Sequence, residues 1–198
     1  RVVLATLVTP VVGAFAHADE PRVESPRKSV TTPRTSGPVV VDGRLDDAAW
    51  QAALRLTDAT QYLPQDSTPP SEQTEFWLMY DDDALYIAAK FADREPSAIK
   101  RSQLVQGQSV INDDYFEILL DGWNNRRTGY IFYVNANGVQ RDGLGLGGLA
   151  FNMDWDGIWD GAAQVDADGW TAEVVLPFKT ISFNRDTDTW GINLLRSI

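Results

Sequence analysis

NDDYFEILLDGWNNRRTGYIFYVNANGVQRDG, residues 112–143, reads as two long strands and the start of a third. Residues 115–120 (YFEILL) carry the aromatic and large apolar side chains that strands favour. Because successive strand side chains alternate, Phe116, Ile118 and Leu120 point one way and Tyr115, Glu117 and Leu119 the other. Residues 121–128 (DGWNNRRT) are polar, with Gly and two Asn, and form the connection. Residues 129–135 (GYIFYVN) are the return strand. Asn137-Gly138 predicts a tight turn into residues 139–141. Glu117 stands out as a carboxylate in the middle of an apolar strand. Burial without a partner would be costly, so it faces solvent, a cation or a ligand.

The flanking sequence repeats the strand period. Residues 74–80 (TEFWLMY) and 85–91 (LYIAAKF) form a hairpin around Asp81-Asp82-Asp83, which serves as a turn. Phe76, Leu78 and Tyr80 share its core face; Glu75, Trp77 and Met79 share the other. Residues 39–41 read as a short strand. In residues 45–53 (LDDAAWQAA), Leu45, Ala49, Trp50 and Ala53 fall on one face of a short helix, with Trp50 as a core anchor. Residues 160–165 and 170–176 are strands about the DADG turn, and residues 190–198 (WGINLLRSI) are a last strand. Helical periods are scarce, so the class is all-β, an antiparallel β-sandwich with one or two short helices.

Composition sets outer limits. At 198 residues, 43% of them hydrophobic and 11% aromatic, one domain with a tail is expected. A formal charge of −11 argues against nucleic acid, whose phosphates would be repelled. Residues 1–18 resemble an export signal lacking its first residues: an uncharged apolar run over 2–16, then Ala16-His17-Ala18 as a cleavage pattern. A signal anchor is the alternative. Residues 19–38 hold four of the ten prolines among charges, Ser and Thr, and read as an unstructured linker. Residues 39–198 are then the folded domain, expected to continue beyond Ile198. Cleavage after Ala18 would remove the only His, and the chain has no Cys. His- and Cys-based nucleophiles, zinc sites and disulfides are thereby excluded. Carboxylates, lysines, oxygen-ligated cations and aromatic stacking remain.

Two further stretches bear on function. Residues 142–153 (DGLGLGGLAFNM) are Gly-rich but lack the lysine and setting of a phosphate loop, and read as a flexible loop. Residues 154–159 (DWDGIW) place two Trp and two Asp within six residues. That pattern suits sugar stacking, with acids accepting hydroxyl hydrogen bonds. It equally suits the edge of a sandwich core.

Taken together, VDGRLDDAAW, TEFWLMYDDDALYIAAKFAD, DDYFEILLDGWNNRRTGYIFYVNANG, DGWTAEVVLPFKTI and WGINLLRSI resemble, in order and spacing, the blocks of the family 9 carbohydrate-binding module over residues 39–198. The variant with NNRRTGY and NGVQRDG is most similar to the N-terminal domain of bacterial surface proteins that continue into an outer-membrane β-barrel. The resemblance implies a β-sandwich, often with structural calcium, in an exported protein of the periplasm, outer membrane or extracellular space. It implies Glu117 as a sugar-binding residue. Ile111 stands where sugar-binding members have a Trp, Tyr133 where they have an Arg, and their second stacking Trp lies past Ile198. Asp93, an acid following a strand, is the calcium candidate the resemblance suggests.

The expected function is therefore non-catalytic carbohydrate binding in polysaccharide catabolism. Trp155 or Trp159 would stack on the sugar; Glu117, Tyr133 and Asn135 would supply polar contacts; Trp123 and Trp77 are substitutes. Partners would be a polysaccharide or oligosaccharide and a downstream domain, either a glycoside hydrolase or a barrel. The alternative is a structural or interaction domain before such a barrel, with sugar binding lost. A glycosidase site in this domain, drawing on Glu117, Asp121 and Glu173, requires a carboxylate pair that no motif singles out.

Overall fold

Residues 74–80 and 84–92 pair as the alternation predicts, and the same rule extends through a two-layer sandwich. A computed structural model describes residues 3–6, 28–35, 37–147 and 150–198. The strands are β1 (Val3–Thr6), β2 (Lys28–Thr31), β3 (Leu54–Leu56), β4 (Thr74–Tyr80), β5 (Ala84–Ala92), β6 (Tyr115–Asp121), β7 (Gly129–Asn135), β8 (Gln140–Gly145), β9 (Phe151–Asn152), β10 (Asp160–Asp166), β11 (Gly169–Pro177) and β12 (Thr189–Ser197). Short 3-10 turns occupy Ala48–Ala52 and Pro96–Ala98. One sheet runs β2-β1-β12-β6-β7-β8-β9 and the other β10-β11-β5-β4-β3. Described neighbours pair antiparallel except β1 with β12, which is parallel.

The sheets meet through alternate residues of each strand. Phe116, Ile118 and Leu120 of β6 face Phe76 and Leu78 of β4, with Leu85, Ile87 and Phe91 of β5 and Trp170, Val174 and Leu176 of β11. Phe76 stacks on Phe116 at 5.6 Å, and Phe91 lies 4.3 Å from Trp170, centroid to centroid. The outer face of the five-stranded sheet is also covered. There Trp50, Met79 and Ala88 form a second buried cluster, joined by Val39, Leu45, Trp77 and Tyr86. Trp50 is thus the anchor expected of it. The Glu75–Trp77–Met79 face is drier than its sequence suggests, because residues 39–53 lie across it.

Several expectations are corrected. Residues 39–41 are not a strand; the Val40 amide donates to Asp47 Oδ2 at 2.7 Å, and this segment caps the sheet instead of joining it. The Gly-rich stretch is partly ordered: residues 142–145 belong to β8, where small residues suit a close approach, with Met153 lying over Gly143. Of the expected linker, Lys28–Thr31 pair with β1, and Thr35 and Pro33 bond to the Tyr80 backbone. Of the leader-like stretch, Val3–Thr6 form β1 against β12; its cleavage pattern lies outside the described residues. The triple Asp, by contrast, is the turn expected of it, with Asp81 Oδ1 accepting from the Asp83 and Ala84 amides.

Candidate functional site

Register places Glu117 in a row across the outer face of the seven-stranded sheet. Leu195 of β12, Glu117 of β6, Tyr133 of β7 and Arg141 of β8 are successive cross-strand partners. The neighbouring row holds Ser197 and Tyr115. The Asn135–Val139 turn sets this register: the Gly138 amide donates to Asn135 O at 2.8 Å, and Gly138 has φ +78°, which suits glycine. The rings of Tyr115 and Tyr133 meet edge to face at 5.6 Å.

Burial dominates the electrostatics of this row. It pushes the Glu117 carboxyl up to about 7, against the opposing effect of a hydrogen bond from Tyr133. Burial, then the charge of Glu117, raises the Tyr133 hydroxyl. Burial also raises Tyr115, which hydrogen bonds with Ser197. Arg141 is half-buried, and its Nε has no hydrogen-bond partner among the described residues. The row thus offers a strand carboxylate, two phenols, an aromatic corner and a guanidinium. Such groups accept and donate to hydroxyls and present ring faces or edges to C–H surface.

The structure brings Glu117 and Tyr133 together, as read from sequence, but separates the other three expected sugar contacts from them. Asn135 is fully buried and fully used: its Nδ2 donates to Gln103 O and Asp113 Oδ2, and its Oδ1 accepts from the Asn137 and Val139 amides. It organises the turn and has no capacity left for a ligand. Trp155 and Trp159 pack on Phe132, whose side chain points inward, opposite to Tyr133. Trp159 Nε1 also donates to Asp142 Oδ2 at 2.9 Å. Of the two readings of DWDGIW, the structure takes the core edge. Trp77 lies on the other sheet under Arg55, 5.7 Å from guanidinium to ring, and Trp123 is 46% exposed in the 121–128 turn. Trp159→Ala is expected to cost about 2–4 kcal/mol of stability and to leave the Glu117 face intact. Melting temperature and glycan titration of the variant check both halves.

Asp93 does not fit a calcium ion as placed. Its Oδ2 faces the buried Arg196 guanidinium at 3.4 Å and its Oδ1 accepts from the Glu95 amide. A cleft of about 520 Å³ opens beside it, lined by Glu72, Arg94, Lys100 and Asp114 among others. Glu72 is paired with Arg94 at 2.7 Å. Among the described residues no group of three or more acids is gathered to hold a metal.

The acids named for a glycosidase pair are likewise dispersed. Glu173 is fully buried on the other sheet, accepting from Trp50 Nε1 and the Asp42 and Gly43 amides. Asp121 accepts from the Trp123 and Arg126 amides, one on each oxygen.

Sequence reading missed Tyr115 and Arg141. Both were recoverable. Tyr115 shares the parity of Glu117, and counting outward from the turn at Asn137 pairs 133 with 141.

The model for the carbohydrate family 9 binding domain-like family matches residues 41–196. The chain belongs to this family. Among solved structures, it is similar to a family 9 carbohydrate-binding module from Caldicellulosiruptor kristjanssonii in complex with glucose. That match has a TM-score of 0.50 and 21% identity over 76% of this chain and 70% of that one. A proposed carbohydrate-binding protein from Bacteroides uniformis matches with a TM-score of 0.54 and 12% identity, over 68% and 66% of the respective chains. These likenesses show the shared sandwich. No curated protein matches the sequence significantly. As a family 9 domain, the chain is a non-catalytic carbohydrate-binding module rather than an enzyme.

Proposed function

We propose that this family 9 domain binds an oligosaccharide on the outer face of the seven-stranded sheet, within an exported protein that takes part in polysaccharide catabolism. Glu117 accepts hydroxyl hydrogen bonds, Tyr133 donates and accepts, and the Tyr115–Tyr133 corner packs on ring C–H surface. The observation that carries the reading is Glu117 itself. A mid-strand carboxylate held half-buried with a single hydrogen bond from Tyr133 costs folding energy, a cost that hydroxyl donors of a ligand would offset. The glucose complex of the Caldicellulosiruptor kristjanssonii module supports a sugar as that ligand. Export is supported by the apolar run over residues 2–16.

Calorimetric titration of the whole chain with glucose, cello-oligosaccharides and xylo-oligosaccharides tests this. Binding is expected with at least one, and Tyr115→Ala is expected to weaken it roughly tenfold through lost ring contact. Absence of heat with every glycan would remove the proposal. It would favour the second reading, a structural or interaction domain before an outer-membrane barrel. One observation supports that alternative: Ile111, where sugar-binding members are expected to have a stacking Trp, is 65% exposed and aliphatic.

A further inference from the structure

Glu117 explains how the face meets hydroxyl groups, but it leaves Arg141 unused. Two described arginines are not exposed, Arg141 and Arg196. Arg196 has an acid: its Nη atoms bond to Ala92 O and face Asp93, although its Nε, like that of Arg141, has no partner among the described residues. No acid pairs with Arg141 among the described residues, although the chain has 28 acids against 17 basic residues. Its neighbours on the row are Tyr133 and, one strand further, Glu117. The next residue, Asp142, points inward to Trp159 and the Gly157 amide, which fixes Arg141 on the outer face.

A partly desolvated guanidinium with no acid beside it is costly unless an anionic acceptor arrives. Its planar fork matches a carboxylate through two parallel hydrogen bonds. Glu117 and Arg141 stand two strand spacings apart, about 10 Å at the backbone, a span bridged by one pyranose ring and the reach of two side chains. We infer that the sugar this face selects carries a carboxylate, a hexuronate, with Arg141 as the residue that reads it. Hydroxyls on one side of the ring meet Glu117, the ring lies over Tyr133, and the carboxylate meets Arg141. This rests on the sugar-binding reading above and adds a chemical class to it. Bulk electrostatics would act against it, since the chain carries −11; a preference for an anionic sugar therefore needs a local cation.

The test titrates the whole chain with D-glucuronate and with D-glucose, and repeats the glucuronate titration in acetate. Glucuronate is expected to bind roughly ten- to a hundredfold more tightly than glucose, and acetate is expected not to compete. Arg141→Gln should bring the ratio of the two affinities near one. Arg141→Lys, which keeps charge but loses the fork, should leave an intermediate ratio. If Arg141→Gln does not fold, as judged by its melting curve, the wild-type ratio and Arg141→Lys decide. Equal affinities in the wild type, a preference that survives Arg141→Gln, or competition by acetate equal to glucuronate would each overturn the inference and leave sugar binding standing. Failure of both sugars to bind while a cello- or xylo-oligosaccharide still binds would overturn the inference alone; absence of heat with every glycan would overturn both.

Discussion

Glu117→Gln is expected to make the domain more stable above pH 7 and a poorer sugar binder at the same time. The stability half follows from linkage. Burial holds the folded carboxyl at about 7, against an ordinary value of 4.5. Below 4.5 the group is protonated in both states. Between 4.5 and 7 the unfolded chain gives up its proton first, so stability falls as pH rises. Above 7 the full penalty is expressed. Glutamine never ionises, so the variant should match the wild type at pH 4 and exceed it by roughly 1–3 kcal/mol at pH 8. Denaturant melts at the two pH values measure this. The binding half follows from charge: an ionised acceptor holds a hydroxyl more strongly than an amide oxygen does. A loss of roughly ten- to a hundredfold in sugar affinity is expected at pH 8. The affinity of the wild type for a neutral sugar should likewise fall as pH drops below 7. A variant no more stable than the wild type at pH 8 would mean that Glu117 is better solvated than its position indicates.

Glu173→Ala is expected to cost more, about 3–5 kcal/mol. Glu173 is fully buried, and desolvation raises its carboxyl, partly offset by three donors: Trp50 Nε1 at 2.7 Å, Gly43 N at 2.9 Å and Asp42 N at 3.0 Å. Truncation strands all three donors and opens a cavity. The turn they hold is unforgiving, since Gly43 has φ +85° and a Cβ there would come within 2.7 Å of the Ala163 backbone. A domain is stable by only about 5–15 kcal/mol, so this loss is a large share. It should also act locally, releasing residues 39–53 from the five-stranded sheet. Faster tryptic cleavage at Arg44 would report that release. Glu173→Gln keeps the volume and one acceptor and should cost less. A variant with unchanged melting and proteolysis would show that the segment is held by Trp50 packing alone.

Much of the fold was legible because strand alternation is a local property. The β4 bounds, the β6–β7 hairpin and the inward sets Phe116–Ile118–Leu120 and Phe76–Leu78 follow from period two and turn residues alone. Glu117 was legible for the same reason, as a charge breaking an apolar pattern. Residues 39–41 misled because an apolar run that covers a sheet and one that joins it look alike.

By itself the sequence determined the central strands over 74–91 and 115–135, which side of β4 and β6 faces the core, and that any chemistry here must use carboxylates, lysines, oxygen-ligated cations or aromatic stacking. Those are consequences of backbone stereochemistry and composition. Only the tertiary structure decided that Asn135 and Glu173 are spent on holding the chain, that Trp155 and Trp159 pack toward the core, and that Arg141 has no acid beside it among the described residues. Each depends on contacts between elements, up to 131 positions apart for Glu173 and Asp42, and short-range patterning carries no information about which distant donor a buried acceptor meets.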